Sequence, residues 1–270
     1  MTTPRRSAPT SVNVPAGHDL VTIADRPELR HPLGTLNVSA WPEFMLHDPV
    51  ANTLWDRLFD DFADLQMTLI DPSGEPVAGL NSAPLAWDGT DDGLPGGWDD
   101  QFTRSVEDVR AGHPRDTLGA LQIVVRADRQ GTGLAGVMLG AMRAAASERG
   151  LGALIACVRP TEKERYPLIP IERYATWTRA DGLPFDPWIR LHVRLGGRVV
   201  RSSPASMRIE GTLAEWRDWT GLSFPESGSY LPAGAAAPVE IDADADRGVY
   251  LDPNVWIVHE LGGGATSTGR

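Results

Sequence analysis

Cysteine is nearly absent: among 270 residues only Cys157 occurs. No intrachain disulfide can form, which rules out a cross-linked secreted domain and suits a reducing cytoplasm. Long hydrophobic runs are missing too. Nowhere do about 18 apolar residues follow one another, the length a spanning helix requires, so no membrane partner is expected. Positive charge is in short supply, with 25 Lys and Arg against 36 Asp and Glu and a net charge of -11. Nucleic-acid binding draws on a clustered basic face, so that class is not expected either. Metal-ligand clusters are lacking: His18, His31, His47, His113, His192 and His259 are scattered, without zinc-site spacing. The acidic run Glu240 to Asp246 has neither the central glycine nor the closing glutamate of a calcium loop, and reads as solvated surface. The two arginines near the start precede no apolar stretch, so no secretory signal is read, and cytoplasmic residence follows by default.

What is present is a globular composition, 41% hydrophobic and 23% charged, in a chain long enough to bury a full core unaided. Residues 1–17, rich in Ser, Thr and Pro, read as a flexible tail, as does the glycine-led stretch 262–270. Between them, 18–261 read as one mixed α/β domain. Asp48-Pro49 forms an N-cap and first-turn pair ahead of Val50, Leu54, Leu58, Phe59 and Phe62 at helical spacing. Leu65 to Ile70 and Pro76 to Ala86 read as two strands, and Asp71-Pro72-Ser73-Gly74 between them implies an antiparallel pair. Trp98, Phe102, Val106 and Val109 mark a second helix. Thr212 and Glu215 form a capping box for a short helix through Trp216.

The middle of the chain carries the most information. Thr117 to Val125 ends in β-branched residues and reads as a buried strand. A glycine loop follows, then an alanine-rich helix over Leu134 to Arg149, then the short strand Leu154 to Val158. This is a βαβ unit, and its two strands are parallel by the crossover rule. The first N–H groups of a helix lack internal partners and point outward at the positive end of its dipole. They can hold a phosphate or pyrophosphate where side chains keep clear, as Gly131 and Gly133 would ensure, although a plain tight turn would also use these glycines. The nucleotide P-loop pattern is absent. Gly131, Gly133 and Gly136 meet the dinucleotide spacing, but the next strand ends in Cys157-Val158-Arg159, without the acidic residue that would hold a ribose.

Gln130-Gly131-Thr132-Gly133-Leu134-Ala135 satisfies each fixed position of Q/R-x-x-G-x-G/A, and here the chain resembles the GNAT acyltransferase superfamily. The likeness extends from about Leu36 to Val200 and over Asn254 to Leu261. It implies a mixed, splayed central sheet with helices on both faces, and an acyl-CoA, such as acetyl-CoA, as donor. Pantetheine would follow the backbone of Ile123, Val124 and Val125. Pyrophosphate would meet the loop amides of Gly131, Thr132, Gly133, Leu134 and Ala135 beside Gln130, with Arg126 and Arg129 as charge partners. The implied reaction is direct transfer to the amine of a small molecule, and a homodimer is compatible with it.

Two departures from the family pattern stand out. Family members commonly carry L-Y-x-x-x-G-F, whose tyrosine protonates the departing thiolate. Here Leu191-His192-Val193-Arg194-Leu195-Gly196-Gly197 puts His192 on the tyrosine and Gly197 on the phenylalanine. An imidazolium can serve as the acid. Tyr166 and Tyr174 are substitutes, and plain packing is the alternative for His192. The second departure is an insertion, 161–187, whose prolines and aromatics suggest an ordered lid over the acceptor. Region 202–252 is longer than a usual link between the sixth and seventh strands. Glu162, Glu164, Glu172 and Asp116 are candidate bases, none distinguished, and Cys157 reads as packing. The missing tyrosine leaves two rivals open: a GNAT-shaped acyl-CoA sensor, and a thioester enzyme acting on a carrier-bound acyl group.

Overall fold

In a computed structural model, which describes residues 7–262, the chain begins with β1 (Asp19–Thr22), α1 (Arg30–Val38) and α2 (Pro49–Asp61). The hairpin β2 (Met67–Ile70) and β3 (Pro76–Leu85) follows, then α3 (Trp98–Ala111), β4 (Thr117–Val125), α4 (Leu134–Glu148) and β5 (Ala153–Val158). The second half holds α5 (Ile171–Tyr174), α6 (Pro187–Arg194), β6 (Arg198–Gly211), α7 (Leu213–Thr220), β7 (Gly228–Tyr230), β8 (Val239–Asp242) and β9 (Arg247–Glu260). The strands form one sheet in the order β1-β2-β3-β4-β5-β9-β8-β7, with β6 also paired to β9. Only β4 and β5 run parallel; the other pairs are antiparallel.

The local signals act as expected. Asp48 accepts from Ala51 N at 2.7 Å and caps α2, with Pro49 in the first turn. Thr212 and Glu215 bond reciprocally at the start of α7. The hairpin β2–β3 turns on Asp71, whose Oδ1 accepts from Ser73 N and Glu75 N. One expectation needs correction. The 1–17 tail is too long: Pro9 is buried and Val12 and Val14 pack against the main core. Residues 1–6 and 263–270 lie outside the described residues. The acidic run is solvated as expected, with Glu240, Asp242, Asp244 and Asp246 all exposed, and its first residues belong to β8, which pairs along the start of β9.

The long strand β9 organises the second half. Its C-terminal part lies between β5 and the first residues of β6; its N-terminal part lies between β8 and the end of β6. Between these parts β6 changes register, from Ser203↔Asn254 to Met207↔Asp252. A bulge of this kind bends a strand and re-aims its side chains. Ser206, inside the bulge, accepts from Trp98 N at 2.9 Å and fixes the start of α3 against β6.

Candidate active site

The parallel pair β4–β5 opens after four residue pairs. Thr117 to Ala120 face Ala153 to Ala156; beyond them β4 remains paired only with β3 and β5 only with β9. A cause is visible at the same level, where the β3–β4 register shifts between Asn81 and Ser82 and leaves Leu121 as the extra residue. The extra residue increases local twist and carries β4 away from β5. A cavity of about 340 Å³ occupies the opening, walled by Ile123 and Val125 of β4, by Cys157 and Val158 of β5, and by Trp188 and His192 of α6.

One end of this cavity reaches Gln130 and Ala135. The connecting loop begins where Arg126 N donates to Val77 O. Gly131 and Gly133 both adopt left-handed backbone, φ 74° and 88°, and open space surrounds the position each Cβ would take. Gly133 is the N-cap of α4, and no side chain caps it. The earliest α4 amides with a backbone acceptor are Gly136 and Val137, both on Gly133 O. The loop therefore offers an exposed amide cluster at the positive end of a 15-residue helix, contiguous with the cavity. That fits a diphosphate with a neutral arm running inward.

The expected donor-side residues divide. Ile123, Val125, Gln130 and Ala135 line the cavity. Val124 and Leu134 do not: each is buried in the protein interior, because strand alternation and the helix's inward face turn them away. Thr132 uses its hydroxyl on Arg129 O at 2.5 Å. Arg126 holds Asp128 at 2.7 Å, which lowers the Asp128 pKa, and Arg129 lies 3.5 Å from Asp71. Both arginines stand at the loop, already partly neutralised.

The catalytic expectations fare differently. His192 lines the cavity, yet only 1% of its surface is exposed. Its Nδ1 lies 2.9 Å from His259 Nε2, its Nε2 has no hydrogen-bond partner, and Trp188 meets its ring edge-on. Burial, with His259 adding to it, pushes the His192 pKa down to about 3. An imidazolium acid at neutral pH is therefore corrected: the ring is neutral there. Gly197 is equally explained, since a Cβ would lie 2.8 Å from Ile257 and from the His259 ring. The histidine pair fills the space that a phenylalanine would need.

Tyr174 is 1% exposed, and its hydroxyl donates to Asp186 at 3.0 Å. Burial and the Asp186 carboxylate both raise its pKa. Tyr166 packs edge-on to Trp177 and Phe185, and Glu172 is exposed on α5. None of these three lines the cavity, and neither do Glu162, Glu164 or Asp116. The lid expectation is corrected with them. The aromatic cluster of 161–187 packs with Val158, Val255 and Ile257 of the sheet, and buried Lys163 donates to Tyr166 O and Ala236 O. Of that segment Thr161 alone reaches the cavity wall. Cys157 lines the wall as a neutral thiol, its pKa pushed up to about 12 by burial.

Several residues escaped sequence reasoning. Arg159 lines the cavity, with Nε donating to Asp252 at 3.0 Å. Burial opposes its charge, but neighbouring Asp252 more than offsets this and raises its pKa. Gln122, Trp41, Trp98, Leu121 and Met207 line this cavity and also a second one of about 530 Å³ between α1, α2 and β4. Trp41 lies in a loop and Met207 follows a bulge, so no periodicity marked either. Behind the second cavity Asp99 approaches Asp48; burial and then the Asp48 charge push the Asp99 pKa up to about 8.

No family model matches the chain. It is 33% identical, over an alignment 285 positions long, to the arginine N-acetyltransferase avaD of Aspergillus versicolor, covering 93% of this chain and 96% of that one. Among solved structures it resembles the loading GNATL domain of CurA from Lyngbya majuscula, with TM-score 0.56, 16% identity, and coverage of 90% of this chain and 98% of that one. It also resembles the GphF GNAT-like decarboxylase in complex with isobutyryl-CoA, with TM-score 0.53, 16% identity, and coverage of 88% and 97%. At that identity the two structures speak for the fold alone. The chain belongs to the GNAT superfamily. It is an acyl-CoA-dependent N-acyltransferase, with the acyl-CoA as donor.

Proposed function

We infer that the chain transfers an acetyl group from acetyl-CoA to a nitrogen of arginine or an arginine-like small molecule, directly and without a covalent enzyme intermediate. The observation that carries this is the pair of adjacent cavities that share Gln122, Trp41 and Trp98 in their walls. The first leads to the bare amide loop and suits the pantetheine arm along β4. The second suits the acceptor, and the 33% identity to an arginine N-acetyltransferase supports the acceptor class. Backbone amides of β4 beyond Ala120, released from β5 by the splay, are placed to polarise the thioester carbonyl.

The proton inventory favours a simple route. No Asp or Glu lines the first cavity among the described residues, the Cys157 thiol is a poor nucleophile, and His192 is neutral. A thiolate of ordinary pKa, about 8.5, departs without a strong acid and takes its proton from water. The attacking nitrogen loses its proton to solvent in the same way. The test is CoA release with acetyl-CoA and an amine panel containing L-arginine, with products identified by mass spectrometry. Acetylated arginine is expected; acetylation of other amines with arginine untouched would overturn the acceptor assignment.

A further inference from the structure

The second cavity has more room than a free amino acid can use. It is a half-open groove of about 530 Å³. Even at a liquid-water allowance of roughly 30 Å³ per heavy atom, the dozen heavy atoms of arginine would fill only about 360 Å³. Its wall combines large apolar groups with the polar side chains of His31, Thr35, Asn37, Asn52, Asp56 and Gln122. Three indoles, Trp41, Trp55 and Trp98, line it beside the thioethers of Met45 and Met207. Trp55 and Trp98 are stacked, their planes 18° apart and centroids 6.5 Å apart. The Trp98 ring is pinned by its Nε1 donating to Leu121 O at 2.8 Å, and Trp55 meets Phe102 edge-on. Aromatic walls of fixed orientation favour another flat ring, while thioethers adapt to the irregular remainder.

Charge is placed elsewhere. Asp56 is the one carboxylate among the described residues lining this cavity. Its side chain is 84% exposed and already bonded to Arg30 at 2.7 Å. The Asn52 amide donates to Leu46 O and the Asn37 amide to Asn81. A guanidinium set against the indoles would gain cation–π attraction but lose its water without a free anion to replace it. A neutral ring carries no such cost. We propose that the acceptor bears a flat aromatic group, that this group lies against Trp41, Trp55 and Trp98, and that its reactive nitrogen meets the donor at the junction of the two cavities. This rests on the arginine-type reading and extends it to a larger molecule.

The test compares acetyl-CoA-dependent acetylation of L-arginine and of arginine 2-naphthylamide by mass spectrometry. The naphthylamide is expected to show kcat/KM at least about tenfold higher, the scale of one buried ring. In Trp55→Ala the ratio of the two kcat/KM values falls toward one, whatever the absolute rates, and Trp55→Phe retains part of it. Should a variant fail to fold, the wild-type ratio still decides. A wild-type ratio of one or less, with arginine acetylated, overturns the aromatic subsite and leaves the arginine reading standing. A ratio unchanged by Trp55→Ala also overturns it. No acetylated product from either compound overturns both readings.

Discussion

The two arms of the splay are built on opposite plans. The β4 arm ends in an exposed loop with empty space around Gly131 and Gly133. The β5 arm ends in a packed aromatic cluster, a buried lysine and a neutral histidine pair. One arm withholds side chains so that a ligand can approach the backbone. The other fills its volume with side chains packed against one another and against the sheet. On the reading proposed above, the bare arm holds the donor and the crowded arm supplies shape.

The sharpest break of this contrast is Gly133→Asp. A carboxylate at φ 88° is strained and repels a diphosphate, so calorimetry should show acetyl-CoA affinity falling at least about 100-fold. Unchanged affinity would mean that the loop does not hold the donor. On the crowded arm, His192→Ala should lower kcat by less than about tenfold, with no ionisation near pH 6.5 in the wild-type kcat profile. A limb near that pH, lost in the variant, would restore the imidazolium role.

Acid stability tests the same pair. The folded values of His192 and His259, about 3 and about 4, lie below the ordinary value of about 6.5. On acidification the unfolded chain takes up protons first. The stability these residues confer is thus full above pH ~6.5 and lost as pH falls through about 4 and then about 3, as thermal melts across that range should show. Tyr174→Phe removes one buried hydrogen bond, a loss of about 1 kcal/mol with kcat unmoved; a large drop in kcat would return Tyr174 to the chemistry.

Asp99 acts with the opposite sign. Between its unfolded value of about 3.9 and its folded value of about 8, the folded protein keeps a proton that the unfolded chain has released. Stability falls as pH rises through that window. Asp99→Asn should flatten the alkaline side of the melting profile, because an amide can still accept from Arg208 N while donating toward Asp48.

Much of the fold was legible from local rules. The Asp48-Pro49 cap, the Asp71 turn, the Thr212–Glu215 box and the βαβ unit each depend on residues close in sequence. The bare glycine loop was legible for the same reason, since left-handed glycines before a helix act within a few positions. Strand β1 and helix α1 were missed. The former is a four-residue edge strand, and the latter carries Pro32 and Gly34 among few apolar positions.

By itself, the sequence determined that a strand, a bare loop and a helix succeed one another at Gln130 to Ala135, because backbone freedom and helix-end electrostatics are local properties. Only the tertiary structure decided how far β4 parts from β5, that His259 meets His192 across 67 positions, and that three distant tryptophans share one cavity. Burial and proximity set whether a histidine is charged and whether an aromatic faces a ligand, and both depend on packing between segments far apart in the chain.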